Sequence, residues 1–535
     1  MMKKNNLYII AILIISGLVG CEIHRSPELS ITDDTYWKTE NDLKLAANYF
    51  YRFLPGHNYD ENWSDNSYGQ SANNISDGSR SAPSSDSDYN NAYSLVRAAN
   101  KLIEKSTELE GVLDDEAIER YQAEAYFFRA WAYFDLVKKY GNIQLVTKTL
   151  NDASPELYEP AVDRSVVFDL IYSDLDFAAE HLPSPEDISD ADYGRVGNTT
   201  AWGLKARAAL FEGTRAKFHN YGDASKHLTI ARDASLKVIE SGQHQLFQDY
   251  ATMLRPEGEG PGNTENMLVR LYGISYDNRV STHTFARNIE QHEVGPTISL
   301  VESYVMNDGL PIDKSPLYEK PNSSEDHFKN RDKRLHGTVF KKGDRFTTAT
   351  PEYKTGSSQH GGFTFKKYFS YEDWDINSGI LDRNIMRYGE ILLIYAEATY
   401  ELNSSISDDD LDKSINLLRD RAGIEKLSNG FVTSNGLDMR AEIRRERRVE
   451  LAQEGFRYWD LIRWKTAEEI MPKEVLGNYF FEEYGEKDLM TNEDNLIILQ
   501  SAERRTFNPE KHYLWPLPLN EIAKSEGALE QNPKW

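Results

Sequence analysis

Ile443-Arg444-Arg445-Glu446-Arg447-Arg448-Val449-Glu450-Leu451, resumed two residues later as Glu454-Gly455-Phe456-Arg457-Tyr458-Trp459-Asp460-Leu461-Ile462-Arg463-Trp464, is the most specific stretch of the sequence, dense in charged and aromatic side chains. Apolar residues recur within it at intervals of three and four, which predicts helices over 438–453 and 456–466. Glu446, Arg447, Glu450 and Arg457 then fall on adjoining helices. There they form charge-assisted, partly buried pairs, and a bidentate arginine fixes orientation more firmly than a lysine does. The pattern reads as scaffold, the alternative being a ligand site built of the same carboxylates and arginines.

The same spacing extends outward, predicting further helices at about 41–54, 90–109, 114–140, 164–181, 199–218, 223–241, 386–402 and 410–422. The 114–140 segment carries one stripe of Tyr121, Ala125, Phe128, Ala132 and Leu136 and a second of Ala123, Phe127, Ala130 and Phe134, so it belongs in the interior. Leu411, Ile415, Leu418 and Ala422 share one face of the 410–422 segment, and Gly423 is placed to end it. The expectation is a mainly α chain: a tetratricopeptide-like scaffold of helix pairs with long loop-rich insertions containing short strands. A strict 34-residue consensus is absent, so the repeats are inferred from the pairing of helices. Trp131, Trp202, Trp459 and Trp464 sit at helical spacing among apolar neighbours and read as core packing.

The N-terminus runs Lys3-Lys4, an apolar stretch from Leu7 to Ile15, then Leu18-Val19-Gly20-Cys21. A basic region, a short apolar region and small residues before a cleavage point describe an export signal, and the apolar run is too short to span a bilayer. The tetrad is similar to a bacterial lipobox, in which acylation of Cys21 anchors the mature chain to a membrane surface by several acyl chains. Cys21 is the one cysteine of the chain, which excludes disulfides. Loss of Lys3 and Lys4 leaves 59 basic against 86 acidic residues, a net charge of −27. So acidic a chain does not suit nucleic acid, whose phosphates call for clustered Lys and Arg.

Three further stretches accompany the opening one: Ala123-Glu124-Ala125-Tyr126-Phe127-Phe128-Arg129-Ala130; Arg387-Tyr388 followed by Glu390-Ile391-Leu392-Leu393-Ile394-Tyr395-Ala396-Glu397-Ala398; and Ile415-Asn416, Leu418-Arg419 and Arg421-Ala422-Gly423. Together with the lipobox and the ending Asn532-Pro533-Lys534-Trp535, their order and spacing resemble the SusD/RagB family over almost the whole chain. Lys534 departs from the family's usual glycine. The resemblance implies a lipid-anchored, surface-exposed receptor of the Bacteroidetes outer membrane. It would capture polysaccharide or oligosaccharide and act as the lid of a SusC-like TonB-dependent transporter, with no reaction and no cofactor. It also implies a division into a signal peptide at 1–20 and one domain at 21–535. The helical scaffold spans about 40–242 and 385–535; the ligand-binding insertions are about 56–89 and 243–384.

A sugar ring offers an apolar C–H face and a rim of hydroxyls, so its site wants exposed aromatic rings beside polar side chains. The two insertions supply Trp63 and Tyr68 near Asn73 and Arg80, Tyr276 with Asn278 and Arg279, and Tyr368 and Tyr371 with Trp374. These are the candidate ligand residues; for each, the alternative is that the ring packs a loop on the scaffold. Two other functions compete. Acidic loops would suit basic peptides or glycopeptides. A surface glycoside hydrolase needs two suitably spaced carboxylates, but no pair stands out, and HExxH, GxSxG and P-loop motifs are absent. Asp408-Asp409-Asp410 and the set Asp187, Asp190 and Asp192 have oxygen ligands for a calcium ion, yet acidic runs at helix N-termini act more commonly as caps.

Overall fold

A computed structural model describes residues 36–274, 281–485 and 489–535. Ten helices carry the scaffold: α1 (Glu40–Asn48), α2 (Ser87–Thr107), α3 (Asp115–Tyr140), α4 (Arg164–His181), α5 (Asn198–His219), α6 (Ala224–Glu240), α7 (Tyr388–Asn403), α8 (Ile415–Ala422), α9 (Met439–Glu450) and α10 (Arg457–Arg463). From α2 to α6 each helix packs on the next, α6 packs on α7 across the long insertion, and α7 packs on α9. This is the expected mainly α chain of helix pairs. Among the described residues no helix is long and apolar enough to cross a membrane.

Local chemistry starts and stops these helices. The Asp114, Asp163, Asp223 and Asp438 side chains accept first-turn N–H groups of α3, α4, α6 and α9, which those helices would otherwise leave unpaired. Gly141 and Gly423, at φ +78° and +69°, end α3 and α8 in backbone conformations that a side chain would strain. Both stripes of α3 are buried, as is the charged Arg129 between them. Arg129 is tolerated there because it grips Asp174 of α4 with two hydrogen bonds of 2.8 and 2.7 Å and Asn100 of α2 with a third.

Two expected helices differ. The 41–54 segment leaves α-helix after Asn48 and continues as a 3₁₀ turn at Phe50–Phe53. The 410–422 segment breaks at Ser414, whose hydroxyl takes the Asp410 carbonyl at 2.5 Å, so the chain divides into Asp408–Asp412 and α8. Its apolar face is buried all the same. The Asp408–Asp410 carboxylates are used locally: Asp408 accepts from Asn429, Asp410 from Tyr395 and Ser407. Asp192 pairs with Lys44 at 2.8 Å.

Strands are few and form two-stranded antiparallel ribbons: β1 (Ser67–Tyr68) with β3 (Gly295–Pro296), β2 (Asn266–Arg270) with β4 (Arg383–Arg387), and β5 (Val475–Tyr479) with β6 (Leu496–Gln500). The first ties residues 56–89 to residues 243–384. The second joins the beginning and end of the long insertion where it leaves and re-enters the scaffold. Between those points the insertion builds its own hydrophobic core around Leu300, Val301, Leu335, Phe365 and Phe369. Many of its aromatic residues are therefore interior packing: Phe285 and Tyr368 are both buried there.

Scaffold and insertion meet in a buried ionic network. Glu450 of α9 accepts from Arg387 of β4 at 2.7 Å, Arg421 of α8 at 2.5 Å and Arg334 of the insertion at 3.0 Å. Arg387 also reaches Glu265 at 2.8 Å and Glu454 at 2.8 Å, and Arg334 reaches Glu446 at 2.5 Å. Burial would raise the Glu450 carboxyl, but Arg421, Arg387 and Arg334 outweigh it and hold the group well below the usual carboxylate range; Glu454 is lowered in the same way by Arg387 and Lys367. The expected partly buried pairing is present with different partners: Arg447 pairs with Asp460 at 2.9 Å, while Arg457 and Arg448 clasp Asp65 at 2.8 and 3.0 Å.

Replacing Glu450 by Gln leaves three buried guanidinium groups short of charge, and is expected to destabilise the fold by about 3 kcal/mol or more in urea unfolding. Because the Glu450 and Glu454 carboxyls are depressed in the folded chain, the stability they contribute is complete above the ordinary value of 4.5 and lost as pH falls below it toward their folded values. The thermal midpoint should be flat above about pH 5 and fall steeply from there. A midpoint unchanged down to about pH 3 would remove these carboxylates from the stability of the fold.

Candidate functional site

The structure holds a cavity of about 630 Å³, within the range of roughly 300–1,000 Å³ typical of ligand sites. It lies where several parts of the chain converge, among them the Arg52–Trp63 segment, the N-terminal half of α2, the C-terminal half of α3, α5, the β2–β4 ribbon, and the turn from α9 into α10. On α3 its wall is Trp131, Phe134, Asp135 and Lys138, at intervals of three, four and seven residues and hence on one helix face. Gly455, at φ +82°, makes the turn that brings Phe456 and Trp459 to the opposite wall, and Gly455 N–H is fixed by a hydrogen bond to buried Glu61 at 3.1 Å.

The rings of Trp63, Trp131, Phe456 and Trp459 are half-buried: their backs join the main core and their remaining surface faces the cavity. Trp63 is held edge-on to Trp515, Tyr458 and Trp459 at 5.3–6.3 Å, so it is a rigid surface. Polar groups complete the lining. Lys138 lies 4.5 Å from the centre of the Trp459 ring and pairs with Asp135 at 3.1 Å. Burial would raise the Asp135 carboxyl, but Lys139 and Lys138 hold it down at about 2, so it stays ionised. Flat apolar faces beside fixed charges and amides suit a ring with an apolar face and a polar rim.

The structure redistributes the expected ligand residues. Trp63 is at the cavity. Tyr68 is half-buried on β1, and the Asn73 side chain caps its own turn by accepting from Ile75 N–H at 2.9 Å. Arg80 is used structurally, stacked 3.8 Å over Trp515 and paired with Asp86 at 3.0 Å. Tyr371 and Trp374 share the short helix Tyr371–Ile376, with Arg345 4.3 Å over the first ring and Arg287 4.4 Å over the second. Neither lines the cavity. Tyr368 is corrected: it is 1 % exposed, turned into the insertion's core at φ +59°, and offers no surface to a ligand. Cys21, Tyr276, Asn278 and Arg279 lie outside the described residues.

Trp131, Phe456 and Trp459 were not among the expected ligand residues, since apolar helical neighbours made the two tryptophans read as core. The available signal was the polar step on α3, where Asp135 and Lys138 share the Trp131 face of a helix otherwise apolar on most sides.

The family model described as "SusD family" matches residues 275–535, and one described as "Starch-binding associating with outer membrane" matches residues 32–209. The chain belongs to the SusD/RagB family. Among its relatives, SusD-like protein P38 of Formosa agariphila is 27% identical over 504 residues, covering 88% of this chain and 94% of that protein. A SusD-like protein of Bacteroides ovatus is 25% identical over 405 residues, 72% of this chain and 66% of that one. Solved structures of SusD-like proteins show the same fold. A SusD-like carbohydrate binding protein from Bacteroides fragilis superposes with a TM-score of 0.75 at 24% identity, covering 92% of this chain and 99% of that one. Surface glycan-binding protein A from Bacteroides fluxus gives 0.65 at 21% identity, covering 93% and 100%.

In this SusD-like chain the Tyr368 hydroxyl is buried without a hydrogen-bond partner among the described residues. Tyr368→Phe is therefore expected to leave stability unchanged or raise it by up to about 1 kcal/mol, whereas Tyr368→Ala should cost about 3 kcal/mol. Calorimetric unfolding of the two variants separates this packing role from a ligand contact, which predicts no such asymmetry.

Proposed function

We propose that this protein binds polysaccharide or oligosaccharide in the cavity between α3, β4 and the α9–α10 turn. From there it would pass the ligand to a partner SusC-like TonB-dependent transporter of the outer membrane, as that transporter's lid. The observation that carries the reading is the cavity's half-buried ring wall set beside fixed polar groups. The relatives support it: the B. fragilis and B. fluxus structures are of carbohydrate- and glycan-binding proteins, and the N-terminal family description joins starch binding to the outer membrane. In the same reading residues 1–20 are the signal peptide, acylated Cys21 anchors the single domain 21–535, and the helix pairs meet the transporter. The insertions 56–89 and 243–384 form the ligand side, with Tyr68, Tyr371 and Trp374 as an outer surface for a longer chain.

The reading is of binding without catalysis. Glycoside hydrolysis by the common route divides acid and base or nucleophile roles between two carboxyl groups. Of the cavity's carboxylates, Asp88, Asp135, Glu454 and Asp460 are each held in ion pairs with Lys or Arg, which leaves Asp60 as a single unpaired carboxyl where that route uses two.

The test is calorimetric titration of the mature protein with plant, microbial and host polysaccharides, alongside Trp131→Ala and Trp374→Ala. A bound polysaccharide should lose about tenfold or more in affinity on Trp131→Ala, with little change on Trp374→Ala and no new reducing ends on long incubation. Affinity lost on Trp374→Ala alone would move the site to the outer surface; a folded protein that binds no glycan would defeat the reading.

A further inference from the structure

The charges around the cavity do not cancel. Asp88 and Asp135 pair with Lys139, Glu454 with Arg387 and Lys367, and Asp460 with Arg447 and Arg463. Asp60 alone among the lining carboxylates has no cation within 4 Å among the described residues; burial raises its carboxyl, and the nearby charge of Arg383 opposes that rise without cancelling it. Against these stand three lining arginines, Arg52, Arg270 and Arg383, with no carboxylate within 4 Å among the described residues. A cationic excess in one cavity is not a general property of a chain whose net charge is −25.

Two of these arginines are placed at a cost. Arg270 and Arg383 are direct cross-strand partners on the β2–β4 ribbon, and like charges opposite one another destabilise a strand pair. Arg383 is 6 % exposed, and its Nε, like that of Arg270, is buried without a hydrogen-bond partner among the described residues. Arg270 has one Nη on the Leu54 carbonyl. A guanidinium as buried as that of Arg383 with no carboxylate paired to it is unfavourable, and arginine's planar fork matches a carboxylate or sulfate. Beside them the His57 imidazole is held well below its usual pKa, by burial first and then by the charge of His283, Arg383 and Arg270, and adds no positive charge near neutral pH.

We propose that the cavity takes an acidic saccharide, its ring face on the aromatic wall and its carboxylate or sulfate ester between Arg270 and Arg383, with Arg52 at the rim. The inference rests on the glycan reading above and adds the charge of the ligand. Carboxylate and sulfate share the chemistry required, a resonance-stabilised oxyanion on a sugar.

The mature protein is titrated by calorimetry with two matched pairs, polygalacturonate against its carboxyl-reduced form and dextran sulfate against dextran, at low and high salt. At least one acidic member should bind about tenfold or more tightly than its neutral partner, and added salt should weaken the acidic member alone. The pair that shows the difference tells a uronate from a sulfate site. Arg383→Gln should remove most of that preference, and the exposed Arg52→Ala, which places no demand on folding, should reduce it. Neutral members binding as well as acidic ones overturn the charge inference and leave the glycan reading standing. Acidic binding untouched by either substitution overturns its placement in this cavity, and no binding by any of the four overturns both.

Discussion

Glu450 is the point at which three separated parts of this chain are held to one carboxylate. Its two oxygens receive Arg387 from the end of the long insertion, Arg421 from α8 and Arg334 from the insertion's interior, all fully or nearly fully buried. Buried ion pairs give little net stability against well-packed apolar groups of the same shape, because both charges must be desolvated. What they do is punish every alternative arrangement, since an unpaired guanidinium in this interior costs far more than a misplaced methyl. The network acts here as a registration device. It fixes where an insertion of well over a hundred residues sits on the helix-pair scaffold.

The cavity depends on that registration. Its α3 wall belongs to the scaffold, its β4 wall is the last strand of the insertion, and Phe456 lies two residues beyond Glu454, which shares Arg387 with Glu450. Arg457, three residues beyond Glu454, holds Asp65 of the first insertion. One short run of sequence therefore joins the fold's ionic centre, the turn that presents an aromatic wall, and the clasp that brings Trp63 in from the other side. A ligand entering the cavity meets surfaces whose relative positions are set by ion pairs rather than by loop conformation, and it gives up little freedom to a floor already rigid.

This connection explains what was legible in the sequence. Helix positions were readable because capping residues and apolar spacing are local, and the scaffold role of Glu446, Arg447 and Glu450 followed from an unusual density of charge among packing residues. Their partners were not readable, because Arg334, Arg387 and Arg421 come from positions that only the tertiary fold assembles. For the site, the sequence favours aromatic residues in polar surroundings, which picks out Trp63, a ring that lines the cavity. It also selected Tyr368, a ring that packs an insertion with a core of its own. The reverse error concealed Trp131 and Trp459: a ring whose back is in the core and whose front lines a cavity has the apolar neighbours of an interior residue. Burial on one side of a ring is a property of the assembled walls, and in the spacing only the polar Asp135 and Lys138 on the Trp131 face of α3 hint at it.

The charge distribution bears on how such a site works. The body carries a large negative charge, and its long-range field repels an acidic polymer at low ionic strength. At physiological salt that repulsion is screened beyond about 8 Å, while guanidinium groups in a partly dehydrated cavity are screened far less. Acidic chains would thus be discouraged from spreading over the surface and held only where an anionic group reaches Arg270 and Arg383. Under the proposed reading, an arrangement of this kind gives up association rate for selectivity. Under that reading the negative exterior would limit adhesion along the rest of the ligand, so release would require only the contacts inside the cavity to break.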